Sequence, residues 1–389
     1  MRTHSPFARL SAPLALALLL APAAALSAQS ATLVYKLGTD TLAVEQYART
    51  GNKLTGEMVQ RAGATVTRVN YDLTLGAGGR PTAATITRMQ ADGTPIPGSP
   101  LNASFQITRD SIIRVVTYKD STVRRAFAAA GAVVNFPTYV YGPTEVLATL
   151  KRAGTTMDSV PAVGFAGNLG FAGVTPAGGD SLRLRGGAYP MVLLFDANSR
   201  LQRVDGAGTT NKLVALRSAN RVDIAAIARA MKPTGLLSAR DVARAGFGSG
   251  GMVLIDYGRP MVRERTVWGG TLVPFDSVWR AGANDATHLF TTRTLTMGTV
   301  TVPPGMYTLW IQHTRNGTFL LVNSQSGQWG TIYDPAKDVG RVPLTMTAAQ
   351  SPVEEFTITL QPQGATRGTM RFAWGPSVGS VDFGVTTPR

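Results

Sequence analysis

The sequence predicts a mainly β protein: an N-terminal antiparallel β meander with two short helices, then a C-terminal β-sandwich or jelly-roll-like domain. Three observations lead there. Residues 69–75, VNYDLTL, are apolar at odd and polar at even positions, the period of a strand with one face on a core. Turn pairs such as Gly51-Asn52, Gly78-Gly79 and Asp92-Gly93 break the apolar segments at short intervals. Many short strands separated in this way argue a sandwich for the C-terminal part.

Residues 1–28 read as an export signal, with Arg2 and Arg9 as a basic start and an Ala/Leu run over 13–26 ending in small residues. That run is short for a membrane span, and later apolar stretches are broken by Arg, Gly or Asp, so no transmembrane segment is expected in the mature chain. There is no cysteine, which removes disulfides, thiolate chemistry and a lipoprotein anchor together. The expected location is periplasmic or extracellular.

Strands are predicted at 32–37, 42–47, 69–75, 82–89, 104–108 and 112–118. Residues 143–153 form a helix, since Val146, Leu147 and Leu150 share a face and Gly154 follows as a stop. Residues 160–180, rich in Gly, Ala and Pro, read as a loop before strands at 181–185, 191–196 and 201–204. A second helix spans 223–231, capped by Asp223 and ended before Pro233. These elements make residues 31–232 one basic antiparallel β domain. Residues 233–250 form a linker with a short helix at 238–245, capped by Ser238 and stopped by Gly246.

Within that linker, residues 246–251 fit G-x-G-x-x-G. A dinucleotide loop needs a strand before it and a helix after it, and here a helix precedes and a strand at 252–257 follows, so no cofactor is expected. Residues 251–389 form the sandwich domain. Its clearest hairpin turns at Asn316-Gly317, which pairs Thr314 with Phe319, His313 with Leu320 and Ile311 with Val322. Tyr307, Leu309, Ile311 and His313 then share one face.

Three blocks stand out in this domain: Tyr257-Gly258-Arg259-Pro260, Gly269-Gly270-Thr271-Leu272-Val273-Pro274, and residues 278–287, VWRAGANDAT. With Val302-Pro303-Pro304-Gly305, Gly327-Gln328-Trp329-Gly330 and Val353-Glu354-Glu355-Phe356, they make roughly 238–385 resemble the domain of unknown function 2911 family. The resemblance implies a secreted β-rich domain and supplies no established catalytic residues. Glu264 departs from it, standing where the family usually has glycine. The N-terminal domain remains unassigned.

Charge is divided unevenly: 25 Lys and Arg against 14 Asp and Glu over 31–248, net +11, and 11 against 9 over 249–389, net +2. A basic N-terminal domain fits an anionic lipid or polysaccharide partner, or a solvated arginine-rich sheet face. No basic run is interleaved with aromatics, so no nucleic-acid partner is expected.

The segment from Trp279 to Asp285 concentrates a flat ring, a five-donor cation, an amide and a carboxylate, a set that recognises sugars or carboxylates. All five tryptophans, at 268, 279, 310, 329 and 374, lie in the same domain. Candidate ligand-binding residues are Trp279, Arg280, Asn284, Asp285, His288 and Trp329. The structural alternative has Trp279 plugging the sandwich, Arg280 paired with a buried acid such as Asp256 or Asp285, and Asn284 bonding loop backbone.

Beyond the export signal the only histidines are His288 and His313, without metal spacing; a metal would need both with Asp285. No G-x-S-x-G occurs. Glu354 and Glu355, read as a solvated strand start, point to opposite faces and cannot flank one substrate. No catalytic residue is identified. The expected function is non-enzymatic binding of a small molecule, glycan or envelope component. The alternative is a metal-dependent or hydrolytic enzyme with its site around Arg280 to His288.

Overall fold

A computed structural model describes residues 29–186, 190–209 and 211–386, and the export signal expected over 1–28 lies outside them. Two antiparallel sheets, each on its own core, account for most of the described chain. The N-terminal sheet begins as a meander in which each strand pairs with the next. Its members are β1 (Gln29–Leu37), β2 (Asp40–Thr50), β3 (Lys53–Ala62), β4 (Thr65–Leu75), β5 (Pro81–Gln90), β6 (Asn102–Ile107), β7 (Ser111–Thr117) and β8 (Thr122–Ala128).

A second series then runs along the other side of β1. It contains β9 (Val133–Asn135), α1 (Thr144–Arg152), β10 (Val160–Gly164), β11 (Gly170–Pro176), β12 (Ser181–Arg185), β13 (Val192–Phe195), β14 (Leu201–Asp205) and β15 (Val214–Ser218). The last strand, β15, pairs with β1 and joins the two series into one 15-stranded sheet. β9 and β10 pair in parallel, which needs a crossover, and α1 is that crossover. α2 (Ile224–Ala230), capped by Asp223 accepting from the Ala226 N–H, packs Ile224 and Ala228 on Val44 and Val59 on the opposite sheet face.

The expected inward positions Val69, Tyr71, Leu73 and Leu75 are buried in the main core. Residues 160–180 correct the sequence reading, since β10 and β11 replace the expected loop. Val160, Ala162, Ala172 and Val174 are buried there, and a sheet core accepts alanines, whose own strand preference is weak, beside strand-forming valines. The strand β3 was also hidden, because Gly56 and Glu57 interrupt its alternation while Leu54 and Met58 are fully buried.

Charged side chains are buried beside this core, Glu45, Arg114 and Glu145 among them. Glu45, 0 % exposed, accepts from the Tyr35 hydroxyl (2.7 Å), the Tyr71 hydroxyl (2.6 Å) and the N–H groups of Tyr141 and Gly142 (both 3.0 Å). Burial pushes its carboxyl up, and these four donors pull against that rise. Nearby, Glu145 on α1 accepts from Tyr47 (2.7 Å), the Leu201 N–H (2.9 Å) and Arg217 (2.9 Å). Together the two carboxylates fix the segment between β9 and α1 onto the sheet.

The C-terminal sheet contains β16 (Arg240–Phe247), β17 (Gly251–Gly258), β18 (Val278–Trp279), β19 (Thr287–Thr291), β20 (Leu295–Met297), β21 (Val300–Val302), β22 (Gly305–Thr314), β23 (Gly317–Asn323), β24 (Asp338–Pro362) and β25 (Arg367–Val385). The order is β16-β17-β19-β22-β23-β24-β25-β20-β21, with β18 on β22. Register shifts in the β24–β25 pair bend these long strands. The sheet thus folds over itself: the Tyr257 hydroxyl on β17 bonds the backbone of Ile358 on β24, and its ring meets Phe356 edge-on at 5.8 Å.

The helix expected at 238–245 is instead strand β16, paired with β17 over eight positions. Ser238 and Gly246 imitate a cap and a stop, but the sheet edge outweighs those local signals. The G-x-G-x-x-G run is therefore the turn of a hairpin, with strands on both sides. The β22–β23 register also differs: Thr314 pairs with Gly317, His313 with Thr318 and Ile311 with Leu320. Arg315 and Asn316 make the turn without positive φ, held by the Thr314 hydroxyl accepting from the Asn316 N–H (3.2 Å). The faces stand as expected, with Tyr307, Leu309 and Ile311 in the main core and Trp310 in a separate cluster with Ala286 and Leu321. Glu354 and Glu355 lie inside β24 and not at a strand start; Glu354 accepts the Arg263 N–H (2.8 Å) and Glu355 pairs with Arg259 (3.1 Å).

Candidate functional site

The turn between β18 and β19 carries the candidate segment, and its shape explains the motif glycines. A Cβ on Gly258 would lie 2.3 Å from the Ala283 carbonyl oxygen, and one on Gly330 would lie 2.0 Å from Arg280 Cδ and 2.4 Å from the Asn284 carbonyl oxygen. Three separated blocks of sequence thus meet at one crossing. The Thr287 hydroxyl donates to the Ala281 carbonyl (2.8 Å) and the Gly330 N–H to that of Asn284 (3.0 Å), holding Ala281 and Asn284 in left-handed backbone at φ 46° and 63°.

This turn forms one wall of a cleft of about 360 Å³. Trp279, Arg280, Asn284 and Trp329 line it, and so do Lys212 and Asn211 from the loop between β14 and β15 of the N-terminal sheet. Trp279 stacks on Trp374 (5.2 Å, 15°) and meets Phe356 edge-on, so its ring is both cleft wall and core packing. Trp329 is 45 % exposed. Arg263 and Arg265 complete the cationic lining, in a loop where Arg263 and Glu264 have φ 50° and 57°. Glu264 thus occupies a conformation that glycine adopts more readily.

The ion pair expected for Arg280 does not form. Asp256 is taken by Arg240, which reaches it diagonally across the β16–β17 pair (Nη2 to Oδ2 2.8 Å, Nε to Oδ1 3.0 Å). Asp285 is exposed and bridges by backbone to Trp329. Arg280 keeps a long contact from Nη1 to the Gly330 carbonyl (3.5 Å), its Nε is buried without a partner, and burial lowers its pKa. Asn284 does bond loop backbone, at 3.5 Å to the Ser238 carbonyl.

His288 and Asp285 lie outside the cleft lining. His288 Nε2 accepts the Gly327 N–H (2.8 Å), which makes the ring neutral with its proton on Nδ1; burial, then Arg240, lowers its pKa. His313 stacks on Phe275 (5.0 Å) and bonds Thr318 (2.7 Å). His288 sits opposite Thr308 on β22, five positions from His313, so the two are about 17 Å apart along the strand. No group of three or more metal-ligating side chains occurs among the described residues. Sequence reasoning missed Lys212, Asn211, Arg263, Arg265 and Trp374. Arg263 and Arg265 stand inside the motif-rich stretch and could have been flagged, whereas nothing local marks Lys212.

The geometry defines a β-rich domain with an open aromatic and cationic cleft. Residues 238–383 match a family model described as protein of unknown function, DUF2911. No curated protein matches. A crystal structure of a DUF1089 family protein from Pseudomonas aeruginosa is similar at 12 % identity, over 44 % of this chain and 92 % of that one, with a TM-score of 0.33, too low to carry an argument. No helix among the described residues is long and apolar enough to cross a membrane.

Proposed function

We propose that the protein is an exported, non-enzymatic binding protein that takes a small molecule or glycan in the cleft around Trp279, Arg280, Asn284 and Trp329. The observation that carries this reading is the convergence of an exposed indole, an incompletely bonded guanidinium and an amide on one open concavity. The export part of this reading rests on the signal-like residues 1–28. The metal-dependent form of the enzymatic alternative loses support because His313 lies about 17 Å along the strand from His288.

Trp329→Ala tests it. On a glycan array the wild-type protein is expected to bind a defined subset, and the variant to lose about tenfold or more in affinity for that subset. Its melting temperature should stay near wild type, since the ring is 45 % exposed. Undiminished binding by the variant would overturn the reading.

For the N-terminal domain we propose an anionic lipid over a polysaccharide, because it holds an apolar cavity of about 370 Å³ lined by Leu73, Val134, Phe136, Val146 and Phe165, with Arg88 at its wall. Native mass spectrometry of detergent-free protein should detect an anionic lipid adduct. Bare protein alone would count against lipid and leave the basic face to a polysaccharide.

A further inference from the structure

We infer that the cleft is an anion site completed by the N-terminal domain, in which Lys212 and Asn211 act with Arg265 and Arg280 on a compact oxyanion, a carboxylate or phosphate carried by a sugar. The inference rests on the cleft being a binding site and specifies what it binds.

Charge comes first. Lys212, Arg263, Arg265 and Arg280 line the cleft, and no Asp or Glu does so among the described residues. Arg263 is ion-paired with Asp40 of the N-terminal domain. The other three form no ion pair with a carboxylate among the described residues: Lys212 donates to the Ala207 carbonyl (3.1 Å), and Arg265 to those of Val262 (2.9 Å) and Met261 (2.8 Å), with Glu354 acting on Arg265 only through its charge. Burial lowers the pKa of all three, and Arg280 and Arg265 lower that of Lys212 further. Like charges held together out of water oppose folding unless a counter-charge enters. Elsewhere the chain supplies its own, with Arg200 and Arg217 on Glu145 and Arg240 on Asp256.

Hydrogen bonding points the same way. Among the described residues that line the cleft, three carry a buried side-chain nitrogen without a partner: Arg280 (Nε), Asn211 (Nδ2) and Trp374 (Nε1). All three are N–H donors, so the unmet hydrogen-bonding demand beside the cleft is for acceptors. A neutral sugar offers acceptors but leaves the charge uncompensated. An oxyanion supplies both, with short charge-assisted bonds to guanidinium. The exposed Trp329 ring leaves room for the sugar itself.

The test is a tryptophan-fluorescence titration of the full chain, at constant ionic strength, with glucuronate, glucose 6-phosphate and glucose. At least one charged sugar should give a saturable change with glucose about tenfold weaker or more, and comparing the two identifies carboxylate or phosphate. Lys212→Gln, in the domain that holds no tryptophan, should weaken the charged ligand about tenfold, with Lys212→Arg retaining affinity. The charged ligand should also raise the wild-type melting temperature more than that of the Gln variant. Equal affinity for glucose and the charged sugars would overturn the anion inference while leaving the cleft reading in place. Unchanged affinity in Lys212→Gln would remove the N-terminal domain from the site. No saturable change with either charged sugar would overturn the inference as a whole, and Trp329-dependent binding of neutral glycans on the array would still uphold the cleft.

Discussion

Replacing Glu45 by alanine is expected to unfold the N-terminal domain well below the wild-type urea midpoint while the C-terminal domain stays folded. The substitution removes the acceptor of two hydroxyls and of the Tyr141 and Gly142 N–H groups, and those two backbone donors cannot turn elsewhere. Each buried unsatisfied donor costs about 1 to 3 kcal/mol, and relief from burying a carboxylate offsets only part, so a net loss of about 4 kcal/mol is expected. That is a large share of a domain's stability. Glu45→Gln keeps the volume and one acceptor and should cost about half as much. The measurement is favoured by composition: all tryptophans lie beyond residue 267, so their fluorescence follows the C-terminal sheet while far-UV circular dichroism follows both. A dichroism transition that fails to move would remove Glu45 from its assigned role.

The complementary experiment is Gly258→Val. Even a Cβ at this position meets the oxygen, carbon and nitrogen of Ala283 at 2.3, 3.0 and 3.1 Å, all main-chain atoms. The turn cannot retreat easily, because Thr287 and Gly330 pin it on either side. Overpacking against backbone should cost about 3 kcal/mol or more, with the larger branched side chain at the upper end. The tryptophan transition should fall and that of the N-terminal sheet remain, the reverse of the Glu45 result. Ligand binding should be lost as well, since Trp279 and Arg280 ride on the displaced turn. A wild-type tryptophan transition would show that the crossing yields without cost.

What could be read in advance follows a physical line. Alternation carried the meander, because in β4 every second side chain enters one core. Both helices were legible, α1 from an apolar face and the Gly154 stop, α2 from the Asp223 cap and the approach to Pro233. The errors fell where neighbours in space decide. β16 is a strand because β17 lies beside it, and β11 forms although Gly170, Ala172, Gly173 and Pro176 have weak strand preference. At the cleft, Trp279, Arg280, Asn284 and Trp329 could be named from residue type. Whether Arg280 met an acid could not, because that turned on Arg240 reaching Asp256 first. Lys212 was invisible for the same reason: it comes to Arg280 through the fold alone.

The way β15 joins β1 also sets an order of events during folding. β1 meets β2 within a hairpin, Gln29 opposite Arg49, but its other edge waits for β15, where Thr32 faces Ser218, 186 positions later. Contacts so distant in sequence form late and slowly. Until residue 218 has been synthesised, the oldest strand of the sheet therefore presents a row of free amide and carbonyl groups, the kind of edge that recruits strands from other chains. A nascent or truncated chain ending after α1 is in this sense an open template, and the final strand of the domain serves as the closure that ends its exposure.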